Sequence, residues 1–205
     1  AKVVSNLITN AGANRIVTVD LHAGQIQGFF DIPVDNLFTT PLFARYIKKK
    51  FKSKKLICVS PDVGGVQRTR GLATKIKADL AIIDKRRPEP GKSKVMNIIG
   101  DVRGKNCIII DDIIDSGGTI VNAVDALKKA GAIDVYVFIT HAVLSGEAAE
   151  KIKKSKIKKL IITDSIDNTL KIKNNSKIEV ISIAPLMAEA INRISNSTSV
   201  SDLFN

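Results

Sequence analysis

The chain has 205 residues, of which 44% are hydrophobic and 25% are charged, as is usual for a globular protein of one large or two small domains. Lysine and arginine outnumber aspartate and glutamate by 32 to 20, giving a formal charge of +12. The lysines are scattered and only 4% of residues are aromatic, so we expect solvated helix faces rather than a nucleic-acid partner. No apolar stretch approaches the ~20 residues that cross a bilayer, and no basic-then-apolar leader opens the chain. We therefore expect a cytoplasmic protein with no membrane partner.

Apolar runs alternate with helical segments along the whole chain. Strands are predicted at Ile16–Val19, Leu56–Val59, Leu80–Ile83, Cys107–Ile110, Val135–Ile139, Leu160–Ile162 and Val180–Ile183, and helices at Val3–Asn10, Pro41–Phe51, Gly64–Lys77, Thr119–Ala130, Glu147–Lys153 and Pro185–Ile194. This alternation predicts an α/β fold, with a mainly parallel sheet and helices on both faces. Cys58 and Cys107 lie inside predicted strands and should be buried, reduced thiols. Residues 85–104 hold prolines among many charges and are expected to form a mobile loop.

The run from Cys107 to Thr119 is the most informative motif. An apolar strand leads into Asp111 and Asp112, then into the small-residue loop Ser116–Thr119, then into a predicted helix. Backbone N–H groups and hydroxyls of such a loop can surround a phosphate at a helix N-terminus. The two acids would repel a phosphate alone, but they can accept hydrogen bonds from the hydroxyls of a sugar. The motif therefore indicates a binding site for a ribose phosphate.

Three weaker motifs follow other predicted strands. His22 comes after the first strand, where a structural role and a ligand role are both open. Asp62 precedes Gly64-Gly65, a pattern that suits either a tight turn or a diphosphate or metal site. Lys85 and Arg87 belong to a charge run that is either a solvated surface or a clamp over a phosphoryl group.

The run from Cys107 to Thr119 matches the phosphoribosyl diphosphate motif of type I phosphoribosyltransferases. Together, the motifs resemble the ribose-phosphate diphosphokinases, also called phosphoribosyl pyrophosphate synthetases. The matching stretches are Val19–Asn36, Ser60–Arg70, Ile82–Pro88, Ile98–Gly104 and Cys107–Thr119, continuing through Thr140-His141 and Ser145-Gly146 to Ala188–Ser195. Salvage phosphoribosyltransferases share the acidic loop but lack the histidine-containing segment.

The resemblance implies a phosphoribosyltransferase-like fold and a role for each motif. His22 and Asp62 would bind the Mg²⁺ that accompanies ATP, and Lys85 and Arg87 would stabilise the transition state, with Arg87 also binding substrate. The ribose 5-phosphate site would consist of Asp111, Asp112, Asp115, Ser116, Gly117, Gly118 and Thr119. Position 116 is Ser where many members carry Thr, and the hydroxyl is retained.

The implied reaction moves the diphosphoryl group of ATP, the co-substrate, to the anomeric hydroxyl of ribose 5-phosphate. It gives 5-phosphoribosyl 1-diphosphate and AMP for nucleotide biosynthesis. The resemblance also implies a homo-oligomer, which in this family is a hexamer. Family members have a longer N-terminal half, so residues 1–40 would end a first domain and residues 41–205 would form the second, with a C-terminal tail. The alternatives are a nucleobase salvage phosphoribosyltransferase and a non-catalytic regulatory relative, which could dispense with Lys85 and Arg87. A nucleic-acid-binding module is a third alternative, and only the net charge suggests it.

Overall fold

The computed structural model describes residues 1–52, 55–86 and 95–204 of the chain. The helices are α1 (Lys2–Asn10), α2 (Thr40–Lys50), α3 (Val66–Ile76), α4 (Gly118–Lys129), α5 (Ala148–Lys154), α6 (Thr169–Ile172) and α7 (Ala184–Ser195). The strands are β1 (Ile16–Val19), β2 (Val34–Leu37), β3 (Leu56–Ser60), β4 (Asp79–Arg86), β5 (Val95–Ile99), β6 (Asn106–Ile114), β7 (Val135–Ala142), β8 (Lys159–Thr163) and β9 (Ile178–Ile181). Two 3₁₀ helices cover Gly24–Phe29 and Ser201–Phe204. None of the helices in these ranges is long and apolar enough to cross a membrane.

The chain divides into two compact units. One consists of Ala1–Thr39 with Ile183–Asn205, and the other of Thr40–Ser182. The second unit contains a seven-stranded sheet in the order β5-β4-β3-β6-β7-β8-β9. The strands of this sheet run parallel except β5, which pairs antiparallel with β4. The assignment of residues 1–40 to the end of a preceding domain stays a prediction.

Apolar side chains cover both faces of the large sheet because successive strand residues point to opposite sides. On one face, strand residues such as Cys107 and Ile109 pack with the buried stripe of α4, which includes Val124 and Leu127. On the other face, residues such as Ile108 pack with α2 and α3. The predicted fold class, a mainly parallel α/β sheet with helices on both faces, is confirmed.

Both cysteines lie in these cores, as the sequence predicts. Cys58 and Cys107 are buried and form no disulfide. Burial raises the pKa of each thiol to about 12. At neutral pH both therefore stay protonated and act as small apolar side chains.

The described parts of residues 85–104 differ from the mobile loop that the sequence predicts, and residues 87–94 of that prediction lie outside the described residues. β4 continues to Arg86, and Val95–Ile99 forms the edge strand β5, with Arg86 opposite Val95 and Ile82 opposite Ile99. The prediction is wrong for these parts because strand pairing with β4 outweighs the many polar residues of the segment.

The first unit contains α1, α7, the two 3₁₀ helices and a parallel pair formed by β1 and β2. Pro185 stands in the first turn of α7, where its missing N–H costs no helical hydrogen bond. The ring of Phe38 meets that of Phe204 edge to face, with centroids 5.4 Å apart. This contact joins the chain after β2 to the last 3₁₀ helix.

Candidate functional site: the carboxyl edge of the sheet

The site begins where parallel strands of the second unit end. β3 and β6 are parallel neighbours, so the segments that follow them lie at the same edge of the sheet. Ligands of open α/β sheets bind beyond this carboxyl edge. Asp62 follows β3, and Asp111 lies in the last half of β6.

The acid pair is part of the strand rather than its end. β6 continues to Ile114, with Asp111 opposite Ile139 of β7. Successive residues of a strand point to opposite sides, so the two carboxylates differ in exposure. The side chain of Asp112 is 5% exposed and that of Asp111 is 20% exposed. Asp112 is therefore largely enclosed, whereas Asp111 reaches a cavity.

Arg68, in the first turn of α3, joins the two acids. Its Nη1 lies 3.0 Å from Oδ1 of Asp111 and 2.7 Å from Oδ1 of Asp112. The backbone N–H of Asp112 also donates to Oδ1 of Asp111, at 3.0 Å. One guanidinium thus partly compensates two adjacent carboxylates in a poorly hydrated place.

Burial and the neighbouring Asp112 shift the pKa of Asp111. Burial raises the pKa of Asp111, and the side-chain hydrogen bond and negative charge of Asp112 add to this, bringing the pKa to about 7 despite the opposing effects of the Asp112 backbone N–H and of Arg68. A carboxyl group with such a pKa exchanges its proton near neutral pH.

A cavity of about 210 Å³ lies beside the acids, at the start of α4. It is lined by Asp111, Ile113, Ile114, Asp115, Ser116, Gly117, Gly118, Thr119 and Ile120. Gly117 precedes α4 with φ +75°, a left-handed conformation that glycine adopts without strain, and it offers no side chain to cap the helix. The first N–H groups of α4 can therefore bind an anion in the cavity.

The predicted sugar-phosphate residues are thus brought together with one exception. Asp111, Asp115 and the loop from Ser116 to Thr119 all line the cavity, whereas Asp112 is buried behind them. The volume is below the ~300–1,000 Å³ of drug-sized sites and suits a small polar ligand.

Asp62 organises the turn between β3 and α3. Its Oδ1 accepts a hydrogen bond from the N–H of Gly65 at 2.9 Å, and the hydroxyl of Ser60 donates to its backbone oxygen at 2.6 Å. A Cβ on Gly65 would lie 3.0 Å from Oγ of Ser60, a close contact that favours glycine at this position. The paired glycines therefore belong to a tight turn that also places Arg68.

His22 lies in the first unit, after β1. Asp20 has φ +43° and is 3% exposed, and its Oδ2 accepts hydrogen bonds from the N–H and hydroxyl of Thr39, at 3.2 and 2.5 Å. The side-chain oxygen of Asn36 accepts from the N–H of Leu21 at 3.1 Å. These contacts hold the turn that leaves His22 exposed.

The predicted metal and catalytic residues are less completely defined. His22 and Asp62 belong to different units, and neither unit gathers three or more possible metal ligands within its described residues. A carboxylate such as that of Asp62 is a suitable donor for a cation that keeps most of its water ligands. Lys85 lies in β4 opposite Met96, but its side chain and the whole of Arg87 lie outside the described residues.

A second cavity, of about 320 Å³, lies at the opposite edge, near the start of β3. Lys48 and Lys77, which line it, stand at the ends of α2 and α3. Cations at helix C-termini are stabilised by the helix dipole, so these lysines need no ligand. The larger cavity is therefore not the candidate site.

Sequence reasoning missed Arg68 and Asp20. Arg68 reaches the acid pair only because β3 and β6 are neighbours, and strand order cannot be read from spacing. A partial signal was present, since Arg68 lies in the first turn after a glycine-rich strand end, the position that faces a ligand edge.

A mainly parallel sheet whose central strand carries an acid pair and leads through a glycine loop into a helix is typical of a phosphoribosyltransferase-like α/β protein. Comparison with known proteins identifies the family within this class. The sequence model of the phosphoribosyl synthetase-associated domain matches residues 82–205, more than half of the chain. The chain therefore belongs to the phosphoribosyl synthetase family, as its motifs predict.

Individual relatives agree over the whole chain. It is 58% identical to a ribose-phosphate pyrophosphokinase of Bradyrhizobium diazoefficiens, over 100% of this chain and 65% of that protein. It is 59% identical to a protein of the same name from Hyphomonas neptunium, over 100% of this chain and 66% of that protein. The crystal structure of phosphoribosylpyrophosphate synthetase from Mycobacterium smegmatis is similar with a TM-score of 0.89 and 39% identity, covering 96% of this chain and 63% of that one. The chain thus spans slightly less than two thirds of these relatives.

Proposed function

We propose that this chain carries the ribose 5-phosphate site of a ribose-phosphate diphosphokinase. The enzyme would transfer the diphosphoryl group of Mg–ATP to the anomeric hydroxyl of ribose 5-phosphate, giving 5-phosphoribosyl 1-diphosphate and AMP. The observation that carries the proposal is the cavity that joins a carboxylate to an anion-binding helix start. Relatives named ribose-phosphate pyrophosphokinase, 58% and 59% identical, favour this reaction over nucleobase salvage.

The 5-phosphate would bind at the start of α4. Its negative charge meets the positive end of the helix dipole and the N–H groups of the first turn. The hydroxyls of Ser116 and Thr119, both exposed at the cavity, can donate to phosphate oxygens.

The sugar hydroxyls would bind at Asp111. A carboxylate accepts hydrogen bonds from two hydroxyls at once, which a neutral side chain does less well. Arg68 offsets part of the negative charge of the acid pair, so a phosphate on the same sugar experiences less repulsion.

The remaining predicted residues would act on ATP. His22 and Asp62 would hold Mg²⁺ with its water ligands, and the bound ion would neutralise triphosphate charge. Lys85 and Arg87 would stabilise charge on the transferring group. Diphosphoryl transfer depends mainly on alignment and charge compensation, so no nucleophilic serine or cysteine is required.

The oligomeric state and the cellular location of the enzyme are also proposals. We propose a homo-oligomer, a hexamer by its family, that works in the cytoplasm and supplies nucleotide biosynthesis. Size-exclusion chromatography with light scattering would test the oligomeric state, and a monomer at all concentrations would contradict it.

Two measurements test the proposed function. The chain should bind ribose 5-phosphate in calorimetry, and incubation with Mg–ATP and ribose 5-phosphate should release AMP. Asp115→Ala should weaken sugar-phosphate binding, because Asp115 lines the cavity. Asp125→Ala is the matched control, because Asp125 lies in α4 and faces Lys156, 3.8 Å away. Binding that is unchanged by Asp115→Ala, or that is absent from the unaltered chain, would contradict the site.

A further inference from the structure

We propose that Arg68 is a positioning residue of the sugar-phosphate site, which holds Asp111 and Asp112 together so that Asp111 is presented to the cavity. The identity of the ligand rests on the proposed function, whereas the role of Arg68 rests on the geometry of the ligand-free chain. Arg68 is absent from the cavity lining, so its action on a ligand is indirect.

The contacts of Arg68 are those of a bridge. A single nitrogen, Nη1, lies within 3.0 Å of an oxygen of each acid, and the arginine side chain is only 19% exposed. The N–H of Asp112 donates to the same Oδ1 of Asp111, so two donors converge on one oxygen and fix the carboxylate plane. Asp111 is thereby oriented by groups from two elements, α3 and β6.

The position of Arg68 is itself fixed. Ser60 and Asp62 form the hydrogen-bonded turn before α3, and the hydroxyl of Thr69 donates to the backbone oxygen of Gly65 at 2.9 Å. Arg68 lies in the helical turn that this network starts. The glycine-rich turn after β3 therefore supports the acid pair of β6 through one side chain.

Charge explains why the pair needs a bridge. Two adjacent carboxylates in a poorly hydrated site repel each other, and removing their cation would leave that repulsion uncompensated. The titratable side chains on the surrounding elements include Arg68 of α3, Asp112 of β6, Asp115 of the cavity loop, Asp62 after β3, and His141 of β7, which lies opposite Ile113. Among these, Arg68 is the cation whose nitrogen reaches Asp111.

The contact between Arg68 and Asp111 affects the pKa of Asp111, which a purely structural role of Arg68 would not do. Arg68 lowers the pKa of Asp111, against the larger raising effects of burial and Asp112. Without Arg68, more of the Asp111 side chain would be protonated at neutral pH and unable to accept from both sugar hydroxyls. Raising the pH would restore the carboxylate and, with it, part of the affinity.

The test compares Arg68→Met and Arg68→Lys in the full chain, with Arg70→Met as the matched control, since Arg70 is an exposed arginine of the same helix. Calorimetry would measure ribose 5-phosphate affinity from about pH 6 to about pH 9. We expect Arg68→Met to lose roughly tenfold affinity at neutral pH and to recover part of it at high pH. Arg68→Lys, which keeps the charge, should lose less, and Arg70→Met should bind like the unaltered chain. A loss that is the same at every pH, or no loss, would overturn the proposal.

A second measurement needs no ligand. Carboxyl ¹³C titration by nuclear magnetic resonance should show a higher pKa for Asp111 in Arg68→Met than in the unaltered chain. If the unaltered chain fails to bind ribose 5-phosphate, the proposed function fails, and this titration still tests Arg68. If Arg68→Met does not fold, Arg68→Lys provides the titration, and the double variant Arg68→Met with Asp111→Asn should fold again, because the neutral amide removes the repulsion. An unchanged Asp111 pKa without the arginine would contradict the bridge.

Discussion

At the scale of single residues, Asp111 makes the stability of the chain depend on pH. Burial, with the neighbouring Asp112, raises the pKa of Asp111 from its ordinary value of 3.8 to about 7. The folded state thus favours the protonated carboxyl more than the unfolded state does. The stability that this group contributes is present below about pH 4 and is lost as the pH rises through about 7. Asp111→Asn, which cannot ionise, should therefore gain stability relative to the unaltered chain at higher pH.

Urea unfolding at about pH 5 and about pH 8 checks this sign. The difference in unfolding free energy between Asp111→Asn and the unaltered chain should favour the variant more at the higher pH. Asp115→Asn is the control, since Asp115 is an exposed carboxylate of the next loop. A difference of the same size at both pH values would show that Asp111 does not titrate as described.

At the scale of elements, two glycine substitutions at the start of α4 should affect stability and ligand binding differently. Gly117 has φ +75°, so Gly117→Ala should cost roughly 1–2 kcal/mol of stability. Gly118 is the first helical residue, and an added Cβ there meets nothing within 4 Å. Gly118→Ala should therefore fold as stably as the unaltered chain, yet bind ribose 5-phosphate more weakly, because the methyl group would occupy cavity space. Thermal unfolding and calorimetry on both variants give the two readings, and undiminished binding by Gly118→Ala would place the phosphate elsewhere.

The turn before α3 offers a matched pair of glycines. Gly65→Ala should destabilise the chain by about 1–3 kcal/mol, because the new Cβ would lie 3.0 Å from Oγ of Ser60, whose hydroxyl is held by its hydrogen bond to Asp62. Gly71 lies in the exposed middle of α3 with nothing within 4 Å of an added Cβ, so Gly71→Ala should stabilise it by roughly 0.5–1 kcal/mol. Urea unfolding compares them, and effects of the same sign would contradict the tight packing at Gly65.

The elements that the sequence predicted well are those whose apolar pattern decides the structure. The stripe of Ile120, Val124 and Leu127 is buried, and α4 ends just before Gly131, which has φ +91°. β2 was missed because Asp35 and Asn36 make its short sequence look like a loop. β6 was predicted to end at Ile110, but pairing with β7 extends it through the acids to Ile114.

At the scale of the whole molecule, the fold class was predictable from the sequence and the phosphate site stays a prediction, whereas the environment of the acids was not predictable. The loop is contiguous in sequence, so spacing alone indicates a phosphate site. The burial of Asp112 and its bridge to Arg68 join residues 44 positions apart and depend on the order of strands in the sheet. Such contacts follow from tertiary packing, which one sequence does not specify.

The stability and the hydrogen-exchange protection of the whole chain should differ between the proposed ligand and its parts. On the proposed function, ribose 5-phosphate at about 100 times its dissociation constant should stabilise the fold by about 2.7 kcal/mol, because a ligand that binds only the native state shifts the unfolding equilibrium toward it. Hydrogen exchange should show the added protection between Asp111 and Ile120, which line the cavity. At equal concentrations, inorganic phosphate and ribose should each protect less, because the first lacks the hydroxyls that Asp111 is proposed to bind and the second lacks the anion that is proposed to bind at α4. Equal protection by phosphate and ribose 5-phosphate would mean that the carboxylate takes no part, and the cavity would then be a simple anion site.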